Sequence, residues 1–318
     1  MHYKIGSRKS KLAMAQTEEV LNSLQKACPE DSFEIVTFVT SGDREQEKAL
    51  DAIGTKGVFV DEIEKALLEG TIAFAVHSMK DMPEEPAHGL IFARAWKRAD
   101  PRDVLLLREK GSLQMLPAGA RIATGSKRRA FQLQRLRPDL EIVPIRGNVD
   151  TRIRRLHEGM PDGSRIDGVI LAAAGLERLG RTVEITQYLS VQEMIPAPAQ
   201  GCLAIELRAE DRELQKKLDA LSDPETDILI RTEREFLRKI GGDCHLPVGA
   251  YAEWIISGSE GAEGQICRKL RLTAIYGNAD GSRLASAVCE RTSEEAGLLA
   301  EDAVREIRRL LSQAESGK

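Results

Sequence analysis

Short apolar runs alternate with stretches of helical periodicity through the first two thirds of the chain. Strands that alternate with helices are typical of an α/β architecture with mostly parallel strands. The strands predicted on this basis are a short one that ends at Ile5, followed by Phe33–Val39, Ile72–Val76, Arg121–Thr124, Glu141–Ile145 and Gly168–Leu171. The predicted helices begin after the N-cap residue Ser10 and cover Val58–Leu67, Lys127–Arg137 and Val149–His157.

Two proline-containing segments interrupt this alternation and predict where the chain crosses between domains. The first includes Trp96–Asp103, and the second is Ile195–Gly201. A strand over Cys202–Leu207 would then return to the first unit. The predicted domains are residues 1–98 with 200–220, residues 99–199, and residues 221–318.

The pattern changes in the last third of the chain. A long helix from Pro224 stops at Gly241-Gly242, a strong C-terminal stop signal. Three strand-like runs in succession and a final helix predict a small α+β domain with an antiparallel sheet. These elements are Val248–Ile256, Ile266–Tyr276, Leu284–Glu290 and a helix within Ser293–Leu311. The predicted fold class is therefore two α/β domains around a central cleft plus this α+β domain.

Composition describes a globular chain without a uniformly basic surface. The 318 residues are 42% hydrophobic and 30% charged, and 46 Lys and Arg face 50 Asp and Glu, for a net charge of −4. A nonspecific binder of nucleic acid or anionic lipid would be basic, so neither partner is expected. The chain shows no secretory signal and no apolar run of the roughly 20 residues that a membrane span needs.

Cysteine usage points to a reducing compartment. Five cysteines are scattered along the chain without a Cys-x-x-Cys pair or a matching histidine cluster. We therefore expect neither a zinc site nor a disulfide framework, no bound metal, and a cytoplasmic location.

Charge is unevenly spread along the chain. Residues 121–155 contain ten basic and three acidic residues, a local balance of +7. A solvated helix face is the ordinary explanation for such a run. We favour it for Arg135, Arg137, Arg154 and Arg155.

The other basic residues of this stretch stand where strands pass into helices. Thr124–Arg129 and Ile145–Arg152 each follow a strand and open a helix, and Ile5–Ser10 repeats the arrangement in the first unit. Free N–H groups at a helix start favour an anion, and arginine favours carboxylate or phosphate. Strand ends of an open α/β sheet share one edge, so the three turns are expected to line one cleft. The chain has no Walker or Gly-x-Gly-x-x-Gly sequence, so nucleotide binding has little support.

Two further positions could carry chemistry. Asp81 follows a very apolar strand beside Lys80, where a fixed carboxylate could move protons or bind a ligand N–H. His77 lies on the same strand, and a core position is favoured for it over a catalytic one. Cys244 lies on a loop after the helix stop, and the residues alone leave open whether its thiol is reactive or incidental.

Seven short blocks stand in a distinctive order along nearly the whole chain. They are Gly6-Ser7-Arg8-Lys9-Ser10-Lys11-Leu12-Ala13, Thr40-Ser41-Gly42-Asp43, Lys56-Gly57-Val58-Phe59-Val60, Val76-His77-Ser78-Met79-Lys80-Asp81-Met82-Pro83, Arg146-Gly147-Asn148-Val149-Asp150-Thr151-Arg152, Ala199-Gln200-Gly201, and Gly241-Gly242-Asp243-Cys244-His245-Leu246-Pro247-Val248-Gly249. As an ordered set they resemble the porphobilinogen deaminase family, also called hydroxymethylbilane synthases.

The resemblance implies a fold and a reaction. Two domains would be like those of periplasmic binding proteins, and the third would carry a cysteine loop. A dipyrromethane cofactor would be held by a thioether to Cys244. Four porphobilinogen units would be deaminated and joined head to tail onto that primer, giving linear hydroxymethylbilane for heme and porphyrin biosynthesis. A monomer is expected, with transient contact to uroporphyrinogen III synthase.

The resemblance also implies roles for individual residues. Asp81 would be catalytic, binding pyrrole N–H groups and stabilising positive charge as ammonia leaves. Cofactor contacts would come from Ser10, Lys80, Asp81, Thr124, Ser126, Arg128, Arg129, Arg146, Gly147, Gln200, Gly201 and the covalently bound Cys244. Substrate contacts would come from Arg8, Ser10, Lys56, Phe59, Arg146, Arg152 and Arg178.

Two alternatives remain open at this point. Two α/β lobes around an anion cleft would also suit a noncatalytic sensor of an anionic ligand, although such a protein does not need Cys244 or a third domain. A thiol enzyme using Cys244 as a redox or acyl nucleophile is the other, but the chain lacks a partner motif for it.

Overall fold

The computed structural model describes residues 1–39, 61–241, 246–257, 267–278, 281–292 and 295–316. The strands are β1 (His2–Arg8), β2 (Ser32–Phe38), β3 (Phe74–Ser78), β4 (Leu90–Phe92), β5 (Asp103–Leu107), β6 (Arg121–Ala123), β7 (Glu141–Val143), β8 (Gly168–Ala172), β9 (Gln187–Tyr188), β10 (Leu203–Arg208), β11 (Gly249–Ser257), β12 (Cys267–Gly277) and β13 (Leu284–Thr292). The α-helices are α1 (Lys11–Ala27), α2 (Asp61–Leu68), α3 (Lys127–Leu136), α4 (Val149–Glu158), α5 (Ala173–Arg178), α6 (Arg212–Asp219), α7 (Pro224–Ile240) and α8 (Ala296–Ser316).

Three sheets organise these elements and confirm the predicted fold class. The first has the order β2-β1-β3-β10-β4, the second β7-β6-β8-β5-β9, and the third β11-β12-β13. Helices cover both faces of the first two sheets. Leu105 packs on the side of α3, whereas Val104 and Leu106 pack on the side of α4, as the two-residue period of a strand requires. The limits predicted for the three domains remain a prediction.

The expectation of mostly parallel strands is confirmed, because four of the five strands in each α/β sheet run in one direction. One strand in each sheet is reversed. In the first sheet, β10 runs antiparallel to both β3 and β4. In the second, β5 runs antiparallel to β8 and β9. The cause lies in the chain path, because β5 and β10 are the strands that follow the two crossings, and each enters its sheet against the direction of its neighbour. The strand at Cys202–Leu207 was predicted and is present as β10.

The third unit follows its prediction closely. Helix α7 begins with Pro224 behind the N-cap Asp223 and ends at Gly241, whose φ of 73° is the left-handed conformation that glycine adopts without strain. The antiparallel sheet packs its inner face on α7 and α8 through apolar side chains that include Phe236, Leu272 and Leu299.

A buried ion pair joins α7 to both crossing segments. Glu233 is fully buried and accepts bonds from Arg98 Nη1 at 2.6 Å and Nη2 at 3.1 Å. The same carboxylate accepts from the backbone N–H of Ala199 at 2.6 Å and of Ala252 at 2.8 Å. Arg98 Nε donates to the carbonyl of Gln200 at 2.8 Å. One carboxylate therefore connects the first crossing, the second crossing and the third sheet.

Candidate functional site

The two predicted anion turns of the second unit are neighbours. Strands β6 and β7 are parallel and paired, so their carboxyl ends meet at one edge. Ser126 caps α3 by accepting from the N–H of Arg129 at 3.5 Å. Asn148 caps α4 by accepting from the N–H of Thr151 at 2.9 Å. Both helices thus begin at this edge, as the sequence predicted.

Glycines allow these turns to approach each other. A Cβ on Gly125 would lie 2.7 Å from the carbonyl oxygen of Ile145, a distance that no side chain tolerates. Gly147 has a φ of 103°, and its carbonyl accepts from Arg152 Nε at 2.8 Å. The hydroxyl of Thr124 accepts from the Ser126 N–H at 3.1 Å and stiffens the first turn.

Arg128 and Arg129 lie behind the turn and are almost completely buried. The sequence predicted them as ligands for carboxylates of a bound molecule, yet both bind a carboxylate of the protein. Arg128 Nη1 is 2.7 Å from Asp103 Oδ2, and Arg129 Nη2 is 2.7 Å from Asp103 Oδ1. Burial alone would raise the pKa of Asp103, but the two guanidinium groups outweigh burial and hold this pKa below its usual range.

Asp103 is not among the predicted site residues. The sequence places it at the end of a crossing segment, whereas it is the first residue of β5 and is fully buried. An acidic residue directly before the apolar run Val104–Leu107 was the signal that could have found it, because a buried carboxylate requires a cationic partner.

Lys80 and Asp81 form the other wall of the site. They lie in a single 3-10 turn, Met79–Asp81, at the carboxyl end of β3. Lys80 Nζ donates to Gln200 Oε1 at 3.2 Å. Burial lowers the pKa of Lys80 to about 8; Asp81 and Asp103 oppose this shift, and Arg129 and Arg128 add to it. The Asp81 side chain is exposed, and among the described residues it has no hydrogen bond or ion pair.

Arg152 of the second unit interacts electrostatically with Asp81 of the first unit. Burial lowers its pKa to about 10, repulsion from Arg129 and Arg146 adds to the shift, and attraction to Asp81 opposes it. Beyond the bond to Gly147, its guanidinium has no hydrogen bond within the described ranges. Its remaining N–H groups are therefore available to an anion close to Asp81. Arg146 is half-buried beside it.

Three further predicted residues lie near the junction of the units. Arg8 ends β1, next to β3, the strand that leads into the turn with Lys80. Ser10 caps α1 by accepting from the N–H of Ala13 at 3.2 Å. Arg178 Nε donates to Glu19 Oε2 at 2.7 Å, and its Nη2 donates to the carbonyl of Gly201 at 3.1 Å. Arg178 thus joins the two units directly.

Gln200 and Gly201 lie inside the second crossing. The Gln200 side chain is fully buried, and its Nε2 donates to the Pro101 carbonyl at 2.8 Å and to Asp103 Oδ1 at 3.0 Å. Gly201 has a φ of 93°, and a Cβ there would lie 2.6 Å from the carbonyl oxygen of Ala99. Both residues are committed to contacts between the crossing segments.

His77 is buried, with its Nε2 at 3.3 Å from Glu206 Oε2. Its core position agrees with the favoured interpretation of the sequence. The predicted site residues Lys56, Phe59 and Cys244 lie outside the described residues, as does His245.

The expectation of a solvated face holds for two of the four arginines. Arg135 and Arg154 are exposed. It is wrong for Arg137, which donates to the carbonyls of Leu113 at 2.6 Å and Leu116 at 2.9 Å. It is also wrong for Arg155, which donates to the carbonyl of Arg146 at 2.8 Å. The long side chain of arginine lets its guanidinium reach carbonyls of a neighbouring loop. Helical periodicity does not reveal such a contact.

Comparison with known proteins decides the family. A family model described as porphobilinogen deaminase, dipyromethane cofactor binding domain, matches residues 3–216. The chain belongs to the porphobilinogen deaminase family. A second model, the C-terminal domain of the same family, matches residues 228–308. The cationic cleft described above therefore lies within the part of the chain that matches the family's cofactor-binding domain.

Curated relatives agree with this assignment. A porphobilinogen deaminase of Lachnospira eligens is 53% identical over 296 residues, 93% of this chain and 96% of the relative. One of Clostridioides difficile is 48% identical over 285 residues, 89% of each chain. Among solved structures, the periplasmic VFT2 domain of Bordetella pertussis BvgS matches with a TM-score of 0.42 and 18% identity, covering 69% of this chain and 86% of that one. Within the described ranges, every helix is too short or too polar to cross a lipid bilayer.

Proposed function

We propose that this enzyme deaminates porphobilinogen and joins four units head to tail on a dipyrromethane primer, giving hydroxymethylbilane for tetrapyrrole biosynthesis. The observation that carries the proposal is the hydrogen bond from Lys80 Nζ to Gln200, whose amide also donates to the carboxylate of Asp103 that binds Arg128. Lys80 and its neighbour Asp81 therefore lie beside the cations of the other unit. The cations suit the carboxylates of a polyanionic chain. The Asp81 carboxylate, exposed and without a hydrogen bond among the described residues, suits a positive charge that develops on that chain.

The donor set of the cleft fits the dipyrromethane. Each pyrrole ring bears an acetate and a propionate, so two rings bring four carboxylates. Four cations, Lys80, Arg128, Arg146 and Arg152, offer N–H groups to them, and charge-assisted bonds to carboxylate are the strongest hydrogen bonds of this kind. We further propose that Thr124, Ser126 and the Gly147 turn complete the contacts. The thioether would be at Cys244, and Lys56 and Phe59 would contact substrate.

Asp81 is the proposed catalytic residue. When bound, the dipyrromethane supplies the pyrrole carbon to which the first unit is joined. The Asp81 carboxylate accepts a hydrogen bond from the pyrrole N–H of the incoming unit. It also stabilises the positive charge that develops on this unit as ammonia departs. It then accepts the proton released from the pyrrole carbon at which the new bond has formed. The Lys80 ammonium binds a ring carboxylate.

Four properties of the enzyme are proposed from the family. We infer that it acts as a monomer in the cytoplasm. The linear product passes to uroporphyrinogen III synthase, by transient contact between the two enzymes. Neither nucleic acid nor a membrane is a partner.

Intact mass spectrometry tests the function. We expect purified enzyme to carry the added mass of a dipyrromethane, and added porphobilinogen to produce further increments of one unit each. Cys244→Ser should remove the covalent mass, and Cys202→Ser, a buried thiol outside the cysteine loop, is the matched control. A bare polypeptide mass that porphobilinogen leaves unchanged would favour the noncatalytic anion sensor instead.

The lowered pKa of Lys80 predicts that substrate binding weakens at alkaline pH. With a pKa of about 8, the ammonium is present below that pH and is lost as the pH rises through it. The protonated fraction falls from about nine-tenths at pH 7 to about one-tenth at pH 9, so the KM for porphobilinogen should rise over this interval. In Lys80→Arg the charge persists, and this rise should disappear from steady-state kinetics. A rise of equal size in both enzymes would contradict the assignment.

A further inference from the structure

The carboxylate of Asp103 binds more side chains than the single cation that would neutralise its charge. Its two carboxylate oxygens accept four hydrogen bonds from three side chains: one from Arg128, two from Arg129 and one from Gln200. All three partners are buried, and they come from α3 and from the second crossing. We propose that Asp103 is a positioning residue of the transfer site: its buried carboxylate fixes the paired arginines and orients the Gln200 amide that holds Lys80.

The orientation of Gln200 follows from its acceptors. The Nε2 of Gln200 has two N–H groups, and they meet two oxygens, Asp103 Oδ1 and the Pro101 carbonyl. The amide is therefore held with Oε1 on the opposite side, where it accepts from Lys80 Nζ. Rotating the amide would place N–H groups against the Lys80 ammonium and leave Asp103 without this donor. Asp103 thus determines that Lys80 meets an acceptor.

Asp103 also gives the two adjacent arginines different roles. Arg129 uses Nε and Nη2 on Asp103 and Nη1 on the Ile170 carbonyl, so each of its nitrogens is engaged. Arg128 donates from Nη1 to Asp103 and to the Ile195 carbonyl. Its Nε and Nη2 make no hydrogen bond within the described ranges. Arg129 is an anchor, and Arg128 keeps N–H groups for a ligand carboxylate.

The negative charge of Asp103 is needed to keep Lys80 protonated beside the two arginines. Without Asp103, Asp81 would be the one carboxylate left among the described groups that act on Lys80, beside the like charges of Arg128 and Arg129. Repulsion would then favour neutral Lys80, because the arginines cannot release their protons. A buried carboxylate at this point keeps the cluster cationic while leaving the outer N–H groups open.

The inference rests on the proposed function, and Asp103→Asn in the full-length enzyme tests it. We expect kcat/KM for porphobilinogen to fall by about 10- to 100-fold, the size of one lost charge-assisted contact in a site. The alkaline rise in KM should begin about one pH unit lower than in the wild-type enzyme. Asp100→Asn is the matched control, since Asp100 pairs with Arg102 in the same segment and has no contact with this cluster.

The outcomes separate three cases. A lower melting temperature with the wild-type pH dependence of KM would show that Asp103 only stabilises the fold and would overturn the proposal. If Asp103→Asn does not fold, Gln200→Met keeps the Asp103–arginine pairs but removes the acceptor of Lys80. Its alkaline rise must also move to lower pH, and an unmoved rise refutes the positioning role. A wild-type enzyme that forms no product from porphobilinogen would refute the proposed function itself.

Discussion

Asp81→Asn lowers kcat by roughly 100- to 10,000-fold while the fold and the bound dipyrromethane persist, if Asp81 carries the proton transfers and the charge stabilisation. The physical reason is specific to its surroundings. Its carboxylate has no hydrogen-bond partner among the described residues, so the substitution breaks no hydrogen bond among them. The amide keeps a hydrogen-bond acceptor for a pyrrole N–H, but it has neither the charge nor the basicity.

Single-turnover kinetics with porphobilinogen measures this effect, and intact mass reports the cofactor separately. Glu85→Gln is the matched control, because Glu85 is an exposed carboxylate four residues further along the same loop. Its kcat should stay within about twofold of the wild-type value, as is usual for an exposed surface position. Near-normal turnover in Asp81→Asn would exclude a catalytic role for this residue.

Glu233→Gln should lower the free energy of unfolding by about 3–5 kcal/mol. The substitution preserves side-chain volume but leaves the Arg98 guanidinium buried without a counter-charge. The N–H groups of Ala199 and Ala252 bind different oxygens of the Glu233 carboxylate. The amide of a glutamine has a single oxygen, so one of these two N–H groups would lose its acceptor. Because these partners belong to separate segments, we expect the connection of the third sheet to both crossings to weaken, although the bond from the Ala250 N–H to the Pro196 carbonyl at 2.9 Å remains.

Urea unfolding followed by circular dichroism measures this loss. Glu235→Gln on the same helix is the control, since Glu235 is partly exposed and pairs with Arg238; it should cost at most about 1 kcal/mol. The double variant Arg98→Gln, Glu233→Gln should recover part of the stability, because it removes the unpaired charge. Equal losses for Glu233→Gln and Glu235→Gln would show that the buried pair contributes no more than a surface pair.

Some elements of the site followed from the sequence because their signals are local. Ser10 was expected to cap a helix, and it does so through the N–H of Ala13, three residues ahead. The helix Pro224–Ile240 and its glycine stop were predicted almost to the residue. These features depend on hydrogen bonds and backbone dihedrals within one turn of helix, so the residues that decide them are neighbours in the chain.

Periodicity also misled where a local pattern competes with a distant partner. The proline and charges before Asp103 suggested a linker, and they hid the start of β5. Arg137 has the spacing of a solvated helix face, yet it binds carbonyls on a loop more than twenty residues earlier in the chain. A charged side chain shows only its type in a sequence, whereas its partner decides whether it faces water.

The sequence by itself determined the family, the cationic turns and the candidate catalytic carboxylate Asp81, because each is written in short blocks of neighbouring residues. The strands β4, β5 and β9 and the helices α5 and α6 were not predicted. Only the tertiary structure decided how the cations are used. The pairs that decide it, Asp103 with Arg128, Lys80 with Gln200 and Arg98 with Glu233, are 25, 120 and 135 residues apart. Burial makes each of these partners necessary, since an unpaired charge in the interior is costly, but burial does not exist until the strands have paired.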